Sequence, residues 1–414
     1  MKLDQKKFTG VIQAGDDTYP AAFDVKADDD GRIQVEIEPI PTPVALSLHE
    51  GELGTPVQEF SLSGSNDSGE TFVSSTVSVH RVQIGMTTSL IGVSTREAKV
   101  RGVLGSPALT PVMRLWFRGF KSSFNAPVKT ALGLVEVRGS SKVSDADALT
   151  GSVAVGAEDD TDLDGWVEKA DALLTFMHQG LAFARGGRLQ APGLELYIGD
   201  RWEATYYDGV GVRSGLAPIH HLDQGAFIEA LTKRFAAAEP FHPMLWTAVG
   251  MMNTETSYDE VGLLISMTAL DAIVEHVIPN SITTVMPKND FAKVRDSLLA
   301  SISNVKFADE SHGKIFAAKI KQLNGRTLAQ KVQALRDHYG LSKTLFTDTA
   351  IVETIKYRNA IAHPSESSNK KELWPRILFV RELVSQIIFH EIGYTGSYET
   401  YAGGYKTVHS KLKT

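Results

Sequence analysis

Six consecutive residues near the carboxyl end of the chain combine two groups that phosphodiester chemistry uses. They extend from Arg358 to His363, and Pro364 follows directly. A guanidinium binds a phosphate through paired hydrogen bonds, and an imidazole exchanges protons near neutral pH. The pair could cleave RNA without a metal ion, with Arg358 on the phosphate and His363 moving the proton. The spacing alone is a weak signal, so the surrounding residues have to support it.

The residues before Arg358 predict the helix that would position this pair. Asp348 is its candidate N-cap. Arg358 falls on the same stripe as the apolar residues of this helix, which are Ile351, Ile355 and Ala362. A charge on an apolar helix face is costly unless it is paired or engages a ligand. The position of Arg358 therefore favours a paired or functional arginine over an ordinary solvated one.

The end of this helix is part of the hypothesis. Pro364 disfavours helical geometry at His363, so we expect the helix to end there. In a regular helix the side chains of Arg358 and His363 would diverge by about 140 degrees. A frayed last turn would let the imidazole approach the guanidinium.

The motif resembles that of the HEPN superfamily, small helical domains in which an Arg-polar-x-x-x-His sequence closes one helix. The match is Arg358, Asn359 and His363. The segments 269–272 and 383–398 resemble the ApeA-type branch, which is associated with phage defence. The whole resemblance covers about residues 258–401. This branch usually has glutamate after Ala-Leu, where the present chain has Asp271.

The resemblance implies a metal-independent endoribonuclease with no cofactor, in which two protomers pair through the helical bundle so that both motifs line one cleft. It also implies a β-rich N-terminal sensor for a phage-derived or protein trigger. In this scheme His363 and Arg358 act on the RNA, and Asn359 orients the substrate or the histidine. Asp271 and Glu275, which flank the apolar stripe of an earlier helix, are supporting residues that hold Arg358 in place.

A non-catalytic interpretation stays open beside this one. Arg358 could be a structural arginine paired with Asp271 or Glu275, with His363 capping the helix. The chain would then be an interaction protein whose β-rich part binds a protein or glycan and whose helical part dimerises. Neither interpretation requires a metal or a cofactor.

Composition limits the function classes. The chain has 414 residues and no cysteine, which excludes disulfides, thiolate nucleophiles and sulfur-ligated zinc sites. No signal peptide or membrane helix is predicted, because the N-terminus is polar and the most apolar stretch, residues 261–274, contains Asp271. We therefore expect a cytoplasmic protein. The net charge of -7 is uneven: residues 251–414 carry 20 basic and 17 acidic side chains, so this part is the better suited to meet RNA.

Hydrophobic periodicity predicts an α+β multidomain chain. Residues 1–150 contain short Val-, Ile- and Thr-rich segments separated by turn residues, typical of an antiparallel β-sandwich-like domain or a β-barrel. Residues 151–250 show a mixed α/β pattern and are expected to pack on it. Residues 251–414 predict an all-α, HEPN-like helical bundle. The Gly- and Tyr-rich tail, residues 394–414, is expected to be partly ordered at best.

Overall fold

The computed structural model describes residues 3–29, 31–49, 59–107, 110–123, 126–140, 142, 148–209, 215–362 and 372–410. The chain divides into two compact units, Met1–Ala238 and Glu239–Thr414. Mixed α+β architecture is confirmed, with antiparallel strands in the first unit and helices in the second. Within the described residues, no helix is both long and apolar enough to cross a membrane.

The first unit is built on antiparallel strands and three helices. The strands are β1 (Leu3–Ala14), β2 (Asp17–Ala27), β3 (Ile33–Ile37), β4 (Ile40–Pro41), β5 (Glu59–Ser65), β6 (Thr71–Gln83), β7 (Thr88–Thr95), β8 (Glu97–Val103), β9 (Val112–Arg118), β10 (Val128–Thr130), β11 (Gly133–Arg138), β12 (Leu149–Gly156), β13 (Gly193–Ile198) and β14 (Arg201–Tyr207). The helices are α1 (Thr42–His49), α2 (Trp166–Arg185) and α3 (Gln224–Phe235).

Six of these strands form a ring, because β6 pairs with both β5 and β7 while β7 also pairs with β3. Alternate residues point into the ring, where Phe8, Phe23 and Phe72 pack with ring centroids 5.3 to 5.9 Å apart. Of the two predicted architectures, sandwich or barrel, the structure has the barrel, formed within one continuous sheet. The physical reason is the length of β6, which pairs with β7 near its end and with β8 near its start.

The sheet continues from β8 through β14, β13, β9, β12 and β11 to β10. Helix α2 covers this part and buries Trp166, whose indole N–H donates to the Leu132 carbonyl at 2.9 Å. The expected boundary near residue 150 does not separate two units, because β12 crosses it. Strands β13 and β14, from the expected middle segment, pair with β9 and β8 of the same sheet.

The second unit consists of helices followed by a short hairpin. The helices are α4 (Pro243–Met252), α5 (Asp259–His276), α6 (Asn280–Thr283), α7 (Lys288–Ser303), α8 (Glu310–Gln322), α9 (Leu328–His338), α10 (Asp348–Ala362) and α11 (Leu373–Ile392). Helices α5 and α11 pack together at the core, and α10 packs against α5 and α9. The apolar stripe predicted beside Asp271 and Glu275 is confirmed in α5, where Leu263, Met267, Leu270 and Val274 are buried. 

The tail forms more structure than its composition suggests. Strands β15 (Ser397–Thr400) and β16 (Lys406–His409) make an antiparallel hairpin, which the sequence did not predict, and residues 411–414 lie outside the described part of the tail. Tyr398 is buried and its hydroxyl donates to the Glu382 carboxylate at 2.9 Å. This hydrogen bond attaches the hairpin to α11, because Glu382 is itself buried in that helix.

Candidate functional site

The start of α10 is fixed by Thr347 and Arg336, and the predicted N-cap, Asp348, is wrong. The expected N-cap, Asp348, is the first helical residue, and the Thr347 hydroxyl accepts from the Ala350 N–H at 3.1 Å instead. The Asp348 carboxylate accepts from the buried guanidinium of Arg336 at 2.7 Å. Arg336 also donates to the Phe346 carbonyl at 2.7 Å. The helix that carries the motif is thus held at its N-terminus by a cap and a buried arginine.

Arg358 lies on the face of α10 that turns toward α5. Ile351 and Thr354 on this face are buried, and Ile355 is half-buried, so the predicted stripe is confirmed for Ile351 and, in part, for Ile355. Ala362 is exposed, which places it outside the stripe. The side chain of Arg358 is 35% exposed, so its guanidinium is partly desolvated and still open to solvent.

Two polar side chains contact the Arg358 guanidinium. Its Nη1 donates to the Asn359 Oδ1 at 3.2 Å, and its Nη2 lies 3.9 Å from the Asp271 Oδ2. The contact between Arg358 and Asp271 is an ion pair whose distance is too long for a hydrogen bond. The structure therefore brings Arg358, Asn359 and Asp271 together, across α10 and α5.

Asp271 carries its charge at a cost. Burial is the largest effect on the pKa of its carboxyl and raises it. Arg358 and Lys331 lower this pKa, whereas Glu275 raises it, and the pKa is raised overall. The positive neighbours therefore do not fully offset the loss of water around the carboxylate. A carboxyl group with a perturbed pKa beside an arginine is typical of functional sites, although structural networks also produce it.

Glu275 lies one turn after Asp271 on α5, and its exposed carboxylate pairs with the ammonium group of Lys331 on α9. The structure thus places Glu275 near the site, with Lys331 as its ion-pair partner. Lys331 belongs to the same charged cluster and was not anticipated, because it is far from Glu275 in sequence and carries no motif. Only the packing of α9 against α5 could have identified it.

A second cluster connects the end of α10 to the start of α11. The Tyr357 hydroxyl donates to the Glu372 carboxylate at 2.6 Å, and Arg376 lies over the Tyr357 ring at 5.4 Å. Arg376 also pairs with Glu372 at 3.5 Å. The hydrogen bond from Tyr357 lowers the pKa of Glu372 and raises that of Tyr357. This cluster holds together the two helix ends that flank residues 363–371.

The proposed proton carrier, His363, lies outside the described residues, as does Pro364. The predicted approach of its imidazole to Arg358 therefore stays a prediction. The described part of α10 extends to Ala362, the residue immediately before it.

Several other histidines contact neighbouring protein groups. His242 caps α4, with its Nδ1 accepting from the Met244 N–H at 3.2 Å. The His390 ring lies edge-on to Tyr339 at 5.0 Å, and the rings of His220 and His221 are 4.2 Å apart. Among the described residues, no group of three or more His, Asp and Glu side chains is arranged to hold a metal ion.

Comparison with known proteins gives no match: no family model, curated protein or solved structure is significantly similar to this chain.

Proposed function

We propose that the chain is a metal-independent endoribonuclease in which Arg358 and His363 act on one RNA linkage. The observation that carries the proposal is the Arg358 guanidinium itself. It lies on the packed face of α10, yet it is one-third exposed, and its ion pair with Asp271 is long, at 3.9 Å. Such a guanidinium is oriented by its neighbours and keeps N–H groups for a phosphate.

In the proposed reaction, His363 removes the proton from a ribose 2′-hydroxyl. The 2′-oxygen attacks the adjacent phosphorus and the bond from phosphorus to the 5′-oxygen breaks. Arg358 stabilises the charge that develops on the phosphoryl oxygens. The products are a 2′,3′-cyclic phosphate and a 5′-hydroxyl, whose proton comes from an imidazolium.

Because one histidine cannot remove and donate a proton in the same step, the proposal includes a homodimer. Two protomers would pair through the helical unit and place two histidines in one cleft, as the HEPN resemblance implies. The basic excess of residues 251–414 supports RNA as the partner of this unit. We also propose a role in phage defence, in which the β-rich unit responds to a phage-derived or protein trigger.

The cost of the Asp271 charge supports a positioning role for this residue. Its pKa is raised although Arg358 is near, so the pair is not an optimised stabilising ion pair. Asp271 orients the guanidinium from one side, while Asn359, exposed at the next position, contacts it from the other. A phosphate would complete the set of partners for Arg358.

The proposal is tested with purified full-length protein, RNA and excess chelator. We expect cleavage by the wild-type protein, and a loss of at least 100-fold in Arg358→Ala and His363→Ala, with both variants folded as judged by circular dichroism and thermal unfolding. His242→Ala is the matched control, because His242 caps α4 and takes no part in the reaction. Equal cleavage by all four proteins would contradict the proposal.

The structure also offers one observation in favour of a non-catalytic interaction protein. Arg358 has a carboxylate partner, and both side chains are about one-third exposed, as in many structural surface pairs. On that alternative, Arg358→Ala and His363→Ala lower the free energy of unfolding, weaken dimerisation or leave every property unchanged, and in each case RNA is not affected. Sedimentation of the same variants distinguishes the two functions.

A further inference from the structure

Helices α7 and α8 form a hairpin that is joined to the rest of the second unit through a hydrogen-bonded neck. The Asn324 side-chain amide donates to the Met286 carbonyl and accepts from the Met286 N–H, both at 3.0 Å. The Val285 N–H donates to the Asn324 carbonyl at 2.8 Å, and the Arg326 N–H donates to the Thr283 carbonyl at 3.0 Å. These bonds close the base of a separate excursion of the chain, residues 285–324, which we call the α7–α8 hairpin.

The hairpin has little core of its own. Only Phe291 in α7 and Ile320 in α8 are buried, in two helices whose residues are all described. The helices pack mainly on each other, and the rings of Phe307 and Phe316 stack at 5.7 Å. The stability of a helix in a protein comes mostly from packing of an apolar face, so a pair that buries this little is marginally stable. The hairpin therefore gains stability from a partner that covers it.

One side of the hairpin is apolar. Four side chains on this side are 37 to 56% exposed: Val294 and Leu298 on α7, Phe316 and Leu323 on α8. At about 100 degrees per residue, each exposed pair is rotated by about 80 to 90 degrees, in the same sense, from the residues that face the other helix, which are Leu299 and Ile302 on α7 and Ala317 and Ile320 on α8. Because the helices are antiparallel, equal rotations put both pairs on one side. We call these four exposed residues the α7–α8 face.

Opposite charges lie at the two outer edges of this face. Asp290 is at the α7 edge and Lys319 is at the α8 edge, and both are exposed. Each is five residues from the contact between Val285 and Asn324 in the neck, so the two charges lie at the same height along the hairpin. A two-fold axis along the hairpin would place α7 of one copy on α8 of another. Asp290 of each copy would then lie beside Lys319 of the other.

The size of the face matches a homodimer interface. Since α7 has 16 residues, the face is about 24 Å long, and two helices about 10 Å apart make it about 20 Å wide. Pairing two such faces would bury on the order of 1,200 Å² in total, at the lower end for a specific interface. An RNA would need a basic face, whereas three of the four central side chains here are aliphatic. Area and composition therefore favour a second copy of the chain.

We propose that the α7–α8 face binds the same face of a second copy, so that two hairpins form a four-helix bundle around a two-fold axis. Phe316 of one copy packs at the height of Val294 of the other. Because the axis runs along the hairpins, both necks are at the same end of the bundle and the two helical units are neighbours, as a shared cleft requires. The inference rests on the proposed function only in that the ribonuclease needs a homodimer.

The test is sedimentation of the full-length protein without RNA. We expect a wild-type dimer, and a rise of at least tenfold in its dissociation constant in Phe316→Glu, because the interface would bury the new charge. Ile315→Glu is the matched control, because Ile315 is equally exposed but lies on the opposite side of α8, and its dimer should be unchanged. Circular dichroism checks that both variants keep their helices.

A charge exchange tests the two-fold arrangement itself. Asp290→Lys and Lys319→Asp should each weaken the dimer, and the double variant should recover affinity, because the opposite charges meet again across the interface. A monomeric wild type, a dimer insensitive to Phe316→Glu, equal loss in Ile315→Glu, or no recovery in the double variant would each overturn the proposal. So would a Phe316→Glu variant that stays dimeric and loses affinity for 2′-O-methyl RNA, which would assign the face to RNA.

The dimer and the cleavage reaction fail separately. A wild-type dimer that Phe316→Glu dissociates, but that leaves RNA intact in chelator, would support this interface and contradict the ribonuclease. Cleavage by a dimer that Phe316→Glu does not weaken would support the ribonuclease and place its interface elsewhere, which would overturn the present inference.

Discussion

Replacing Arg358 by glutamine separates the functional and structural interpretations of the motif. Glutamine keeps a polar side chain of moderate length at the position and removes the charge. If Arg358 serves RNA, the variant loses cleavage and keeps its fold. If it is a structural arginine, the loss appears in the free energy of unfolding.

The expected effect on stability follows from the geometry of the pair. At 3.9 Å, two unit charges attract by about 4 kcal/mol at an effective dielectric constant of about 20, and by about 1 kcal/mol in water. Since each side chain is about one-third exposed and the atoms are beyond hydrogen-bond distance, solvent screening reduces the value. We therefore expect Arg358→Gln to lower the free energy of unfolding by less than about 1 kcal/mol.

Arg336→Gln is the matched control for this experiment. Arg336 is 4% exposed and holds the Phe346 carbonyl and the Asp348 carboxylate, so its replacement should cost about 3 kcal/mol. Urea unfolding of both variants is compared with cleavage of a fluorescent RNA in chelator. A loss of about 3 kcal/mol in Arg358→Gln, or full cleavage by that variant, would refute the reasoning.

Three further predictions concern the surroundings of the motif. Because the folded-state pKa of Asp271 is raised, ionisation of this carboxyl lowers the free energy of unfolding. The wild-type protein should therefore lose stability relative to Asp271→Asn as the pH rises through that pKa. Urea unfolding of both proteins from pH 3 to 7 measures the difference, and a gain of stability with rising pH would contradict the prediction. Tyr398→Phe should lower stability by about 1–2 kcal/mol because the buried Glu382 loses a donor, an effect absent if the tail is unstructured. Thr347→Ala should lower the free energy of unfolding by about 1 kcal/mol, because α10 loses its N-cap. Thermal unfolding measures this, and an unchanged stability would indicate that Asp348 is the N-cap instead.

The helices of the second unit were predictable because their apolar spacing is strong. The stripe of α5 and the glycines after α9 and α11 give local signals, and Gly340 and Gly393 do adopt the left-handed conformation, with φ of 63° and 77°. Gly325, which follows α8 in the sequence and is also a candidate cap, does not adopt it, because α8 already ends at Gln322. The cap of α10 was assigned one residue late, since Thr347 and Asp348 are both good caps and the choice depends on Arg336.

The parts that sequence could not specify depend on contacts between distant residues. The ring of strands arises because β6 pairs with three other strands, which no local pattern records. The contact of Arg358 with Asp271 was anticipated from the family resemblance and from the position of Asp271 beside an apolar stripe, whereas that of Lys331 with Glu275 required the packing of α9 on α5. The hairpin of the tail was missed because the segment was judged by its Gly, Tyr and Lys content, although Gly403 and Gly404 between two short polar segments are also a hairpin signal.

The most direct test of the account is a DNA strand that contains a single ribonucleotide, incubated with the protein in excess chelator. The account predicts one cut, directly after the ribonucleotide, leaving a 2′,3′-cyclic phosphate and a 5′-hydroxyl, and no cut in the Arg358→Ala or His363→Ala variants. Cleavage of the strand without the ribonucleotide, or ends that carry a 5′-phosphate, would contradict it.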